Sequence, residues 1–128
     1  MSEKVYAFVK ENRAEISLPA GLDVHVKAKS NSRVTQLVTV KGLDEELQFT
    51  GSGERNSNLG ETKITTTGNL LHATFEYSNG DGVLTPSKLN TGGPYEIGNY
   101  NILVVVAENG DDSDYNDTIL ELSWHTKA

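Results

Sequence analysis

The apolar residues of this chain recur with period two almost everywhere, and that pattern excludes most folds. Val24, Val26 and Ala28 alternate with His25 and Lys27. Leu71, Ala73, Phe75 and Tyr77 alternate with His72, Thr74 and Glu76, and Leu47 and Phe49 alternate with Glu46 and Gln48. The segment Val34-Thr35-Gln36-Leu37-Val38-Thr39-Val40 is rich in β-branched residues. Ile102–Ala107 is a continuous apolar run, as expected of a strand covered on both faces. Ile119, Leu120, Leu122 and Trp124 form another strand near the C-terminus. Strand side chains alternate between faces, whereas a helix needs apolar residues at i, i+3, i+4 and i+7. No long window of the chain meets the helical requirement.

Turn signals punctuate these runs at Pro19-Ala20-Gly21, Asn31-Ser32, Gly51-Ser52-Gly53, Asn79-Gly80-Asp81-Gly82, Thr91-Gly92-Gly93-Pro94 and Asn109-Gly110. Short strands separated this often predict an all-β chain. The expected architecture is an antiparallel β-sandwich of about eight or nine strands, one domain over residues 1–128. Asn79 to Asn99 lacks clean alternation, and a ragged loop or a poorly paired edge hairpin is expected there.

Charge narrows the function. The chain carries 11 basic and 18 acidic residues, a net charge of -7. Residues 1–64 balance nine of each sign, so the whole excess lies in residues 65–128, where only Lys88 and Lys127 are basic. A nucleic-acid surface needs a basic patch, and none is present in that half. With no Cys, there is no disulfide framework, zinc-thiolate site or Cys nucleophile. No apolar run approaches the roughly 20 residues that cross a bilayer. Met1–Lys10 lacks the apolar stretch of a signal peptide. Synthesis in the cytoplasm is therefore expected, followed by retention there or by release, to the medium or the cell surface, without a cleaved signal.

Five of the nine acids in the second half fall within ten residues: Glu108, Asp111, Asp112, Asp114 and Asp117. Clustered carboxylates repel unless a counter-charge holds them. Asp112, Asp114 and Asn116 follow a D-x-D-x-N rhythm between two strand signals, Tyr100–Ala107 and Thr118–Trp124. Ca²⁺ takes six to eight oxygens, mostly from carboxylates and amide carbonyls. An EF-hand is ruled out, because Asp117 occupies the place of the required Gly and no Glu stands at the twelfth position. Calcium remains as the reading, against a plain solvated acidic turn. Glu108 and Asp117 add carboxylates at both strand ends, more than one ion can use, which points to two ions sharing bridging ligands.

Glu108-x-Gly110-x-Asp112-x-Asp114-Tyr115-Asn116-Asp117, followed by a strand ending in Trp124, resembles the bacterial LecB-type lectins, calcium-dependent fucose- and mannose-binding proteins. Leu18-Pro19-Ala20, Asn31-Ser32 with Thr35-Gln36, Phe49-Thr50-Gly51, Asn58-Leu59-Gly60 and Lys63-Ile64 follow in the family's order. The similarity spans residues 16–80 and 100–124.

The resemblance implies a nine-stranded sandwich in which two adjacent Ca²⁺ ions bind the sugar directly. It places the ion ligands on Asn31, Glu108, Asp112, Asp114, Asn116 and Asp117. It puts Ser32, Arg33 and Asn109 around the sugar, with Asp112, Asp114 and Asn116 touching both ions and sugar. It also implies assembly as a homodimer or homotetramer in which the partner's C-terminal carboxylate completes a calcium shell. Counted from Trp124, this chain ends one residue later than the family pattern. Lys127 stands where the family has its terminal glycine, and the carboxylate of Ala128 is expected to reach the site by a different path. Asn109 stands where the family commonly has an Asp that hydrogen-bonds the sugar. Arg33 lies in the stretch that shapes sugar preference. The alternative is a calcium-stabilised structural or protein-interaction sandwich that has lost sugar binding.

The remaining candidates have plainer readings. His25, His72 and His125 are far apart in sequence, and surface imidazoles are expected rather than a shared zinc site. Catalysis is not expected: carboxylates gathered on a cation have lowered pKa values, whereas a glycosidase acid needs a raised one. No nucleophile elbow, P-loop or dinucleotide fingerprint is present. Trp124 is expected in the core or at a subunit contact rather than as a sugar-stacking platform. Ile119, Leu120, Leu122 and Trp124 are candidates for a two-fold interface.

Overall fold

The computed structural model describes residues 5–43, 45–78, 83–108 and 118–126, leaving aside the side chains of Glu54 and Asn56. All the regular structure described is strand. The elements are β1 (Tyr6–Lys10), β2 (Arg13–Ser17), β3 (Asp23–Lys41), β4 (Leu47–Thr65), β5 (Leu71–Ser78), β6 (Thr85–Pro86), β7 (Lys88–Ile97), β8 (Tyr100–Glu108) and β9 (Thr118–His125). Every pairing is antiparallel, in the order β1-β2-β5-β3-β9-β8-β7, with β4 beside β3 and β6 beside β5.

Two long strands make the sandwich. β3 and β4 each run for 19 residues and belong to both layers. The first half of β3 pairs with β9, from His25↔Ser123 to Ser30↔Thr118. Its second half pairs with β5, from Thr35↔Ser78 to Lys41↔His72. β4 follows it on the other side throughout. The sheet thus curls on itself, and β1 comes to lie against β7, where the Thr91 hydroxyl donates to the Ala7 carbonyl at 3.5 Å.

The inward positions of this curl form the core. Val24, Val26, Ala28, Val38 and Val40 of β3 meet Ala14, Ile16, Leu71, Ala73 and Phe75 from one layer. From the other come Leu103, Val105, Ala107, Leu120, Leu122 and Trp124. The alternation seen in the sequence is therefore the alternation of burial. A Phe or Leu side chain removed from water in this way contributes about 1.5–3 kcal/mol.

Several expectations are corrected. Asn31-Ser32 and Gly51-Ser52-Gly53 are not turns between strands: they lie inside β3 and β4, where the register slips at Ala28/Lys29, Ser30/Ser32 and Ser32/Gln36. Bulges account for this, because extra residues bend a strand without ending it. The same holds for Gly92-Gly93-Pro94, a register shift inside β7. The expected ragged stretch is largely an edge hairpin, β7 to β8, with eight paired positions. The run Ile102–Ala107 is not enclosed on both faces: Leu103, Val105 and Ala107 are buried, while Ile102, Val104 and Val106 are half-buried. Leu120, Leu122 and Trp124 are between 0% and 4% exposed within one chain, so they are core rather than interface. Of the four interface candidates, only Ile119 faces outward.

Candidate functional site

The bent middle of β3 is where the expected site begins. Between Ser30↔Ser57 and Ser32↔Gly53 the two strands of the β3–β4 ladder advance unequally, with three residues of β4, 54–56, opposite one of β3. Between Ser32↔Gly53 and Gln36↔Gly51 the excess is on β3. Gly53 permits this: its φ is 145°, and a Cβ there would lie 2.4 Å from the Ser57 hydroxyl oxygen. Such a crossing strips backbone groups of their ladder partners, and a buried unpaired N–H or C=O is costly.

Side chains take over. Ser32 Oγ accepts from the Val34 N–H at 3.1 Å. Gln36 Nε2 donates to the Val34 carbonyl at 3.0 Å. The Ser32 N–H donates to Ser30 Oγ at 3.2 Å, and Thr50 Oγ1 donates to the Gln36 carbonyl at 3.0 Å. Thr118 Oγ1 donates to Gln36 Oε1 at 2.5 Å. Ser30, Ser32, Gln36 and Thr118 are all buried. They occupy inward positions that hold Val, Leu or Ala along the rest of these strands. That break in chemistry is the signal by which Gln36 and Thr118 could have been found; neither is among the residues expected from sequence to touch ion or sugar.

Two of the expected ligands, Asn31 and Glu108, lie beside this polar end. Ser30, Thr118 and Ala107 form one row across β3, β9 and β8. One residue further on stand Asn31 and Glu108, two strands apart, which corresponds to about 10 Å between their backbones. They share the face opposite the core and bracket the start of β9. Asn31 is half-buried and Arg33 is exposed, while Ser32 faces inward. Glu108 is 2% exposed although its face is the outer one, the one departure from alternation along β8. Asn109, Asp111, Asp112, Asp114, Asn116, Asp117 and Ala128 lie outside the described residues. Among the described residues no three His, Asp or Glu side chains converge where a metal could sit.

The other end of the same strands is different. A cleft of about 810 Å³ opens there between Gly21, His25, Lys63, Tyr100, Trp124 and His125. It lies roughly 26 Å from Glu108 along β8, at 3.3 Å per residue. The Tyr100 and His125 rings lie 5.2 Å apart, and His25 Nε2 is 3.2 Å from Glu61. His25 and His72 are half-buried and not clustered. Trp124 is too buried to serve as a stacking platform.

Known proteins share this architecture. The model of the family described as fucose-binding lectin II (PA-IIL) matches residues 16–126. A Ralstonia solanacearum high-affinity mannose-binding lectin superposes with a TM-score of 0.75 at 29% identity, over 88% of this chain and 96% of its own. The Chromobacterium violaceum lectin CV2L, solved with alpha-methyl-fucoside, gives 0.73 at 29% identity over 88% and 96%. The C-terminal domain of the BC2L-C lectin from Burkholderia cenocepacia has the same fold, with a TM-score of 0.71 at 22% identity over 98% and 100%. Among curated proteins none matches significantly. The chain belongs to the fucose-binding lectin II (PA-IIL) family and is a carbohydrate-binding protein, not an enzyme.

Proposed function

We propose that this lectin recognises fucose- and mannose-type sugars through two adjacent Ca²⁺ ions held at the β3–β8–β9 end. Glu108 carries the reading: a carboxylate buried to 2% persists only when ion-paired, hydrogen-bonded or bound to a metal. It stands at the mouth of an acidic stretch whose D-x-D-x-N rhythm suits a hard cation. Asn31 and Glu108 would supply oxygens from rigid strand ends, and Asp112, Asp114, Asn116 and Asp117 from the connection between β8 and β9. The donor set consists of carboxylates and amides alone, the chemistry Ca²⁺ prefers. When bound, the ions would offer coordination positions that vicinal sugar hydroxyls fill in place of water.

The chain's own groups then set selectivity. Arg33, exposed on the β3 bulge, stands beside the sugar position and favours ligands that present an acceptor there. Asn109 accepts a sugar hydroxyl through its amide oxygen, without the charge an Asp would bring. The related Ralstonia protein is a mannose-binding lectin and the Chromobacterium lectin was solved with a methyl fucoside, which supports both sugar types here. Assembly as at least a homodimer would bring Ala128 of the partner subunit to the ions. The half-buried outer residues Ile102, Val104, Val106 and Ile119 are apolar positions on the β8–β9 face available for such a contact.

A glycan array developed in calcium and again in EDTA tests the proposal. Fucosides and mannosides should bind in calcium only, and Asp114→Ala should abolish binding. Calcium-dependent melting with no glycan signal would instead mark a sandwich that has lost sugar recognition.

A further inference from the structure

Gln36 joins three parts of the polar end, two through its side chain and one through its backbone carbonyl. It is 1% exposed, and Thr118, its partner, is also 1% exposed. Its Oε1 accepts from Thr118 Oγ1, at the first residue of β9, directly after Asp117 in sequence. Its Nε2 donates to the Val34 carbonyl, at the far side of the bulge that carries Ser32 and Arg33. Its own carbonyl accepts from Thr50 Oγ1, on β4. Val34 thus has both backbone polar groups satisfied by side chains of its own strand, the N–H by Ser32 and the carbonyl by Gln36. The shape of the bulge is set by two hydrogen bonds of ordinary length, and one of them belongs to a residue that also grips the root of β9.

A core that only needed filling would place an apolar residue at Gln36, as it does at Val38 and Val40 two and four positions on. A buried amide there is tolerable only because both its ends are paired. What the amide adds is geometry: it fixes the distance between the β3 bulge and the start of β9. We propose that Gln36 is a positioning residue for carbohydrate recognition, holding the Ser32–Val34 bulge in register with the end of β9 through its hydrogen bonds to Val34 and Thr118. The inference rests on the lectin reading above. It assigns Gln36 no contact with sugar or ion: Gln36 acts through the backbone at Val34.

The test compares Gln36→Met, Thr118→Val and the double variant. The readouts are melting temperature, titration with Ca²⁺ alone, and titration with methyl α-L-fucoside and methyl α-D-mannoside at saturating calcium. Thr118→Val leaves the Gln36 amide oxygen buried and unpaired, so it should lower the melting temperature. The double variant removes both members of that pair but leaves the Val34 carbonyl without its donor, so it should recover only part of that loss. Gln36→Met and the double variant should both lose about tenfold in glycoside affinity, the effect of misplacing one recognition segment, while calcium affinity changes less than about threefold. Wild-type glycoside affinity in the double variant would overturn the proposal and make the pair a packing feature. Parallel losses of calcium and glycosides would overturn it as well. If the unaltered protein binds neither calcium nor glycoside, the lectin reading falls first and this inference with it.

Discussion

The two ends of the β8–β9 pair share strands, register and core, yet they are built for different work. At the His125 end the inward chemistry stays apolar up to Trp124, and the surface opens into a cleft of about 810 Å³. At the Thr118 end the inward positions turn polar: Ser30, Ser32, Gln36 and Thr118 replace aliphatic residues, and Glu108 is buried on the outer face. A search for concavity alone would choose the cleft. The proposed site is at the other end, where paired hydroxyls, a paired amide and a buried carboxylate gather beside an acidic stretch suited to a hard cation. A site that captures hydroxyls on ions has no need of depth.

Removing core contacts should produce the largest effects and tests whether the inward face of β9 is core rather than interface. Leu122→Ala should destabilise the fold by about 2–5 kcal/mol at any protein concentration. Ile119→Ala, on the outer face, should cost less and, under the proposed assembly, should act mainly on association between subunits, read by ultracentrifugation. A concentration-dependent loss in Leu122→Ala would reverse the assignment. Next in size, Thr118→Val should cost about 1–3 kcal/mol by leaving the Gln36 amide oxygen unpaired, measured by urea unfolding. At the cleft end, Lys63→Ala should shift fucoside affinity by less than about 0.5 kcal/mol. A larger loss would move the site to that end. Smallest of all, Glu46→Ala breaks an exposed pair with Lys41, 3.7 Å apart, and stability should change by at most about 0.5 kcal/mol.

The same contrast explains what could be seen in the sequence. Val24, Val26 and Ala28, like Leu71, Ala73 and Phe75, announce their burial because period two is a property of any half-buried strand. The acidic D-x-D-x-N stretch is local, so its chemistry is legible without a fold. The passage of β3 and β4 between layers is not: a bulge and a turn both call for Asn, Ser and Gly, and only pairing with β9 and β5 distinguishes them. Leu120, Leu122 and Trp124 read as interface candidates because one strand cannot say which side its partners occupy. Gln36 is hidden for a related reason. Its value lies in Thr118, 82 positions away, and in a carbonyl exposed by a bulge that the alternation does not reveal.

The measurement closest to the central claim is melting of the unaltered protein in EDTA, in millimolar calcium, and in calcium with methyl α-L-fucoside. If the Thr118 end holds ions that hold sugar, calcium at 100 times its dissociation constant should add about 2.7 kcal/mol, a rise of roughly 10 °C for a domain of this size. The fucoside should raise the transition further in calcium and not at all in EDTA. A melting temperature indifferent to calcium, or a fucoside shift that survives EDTA, would contradict the account.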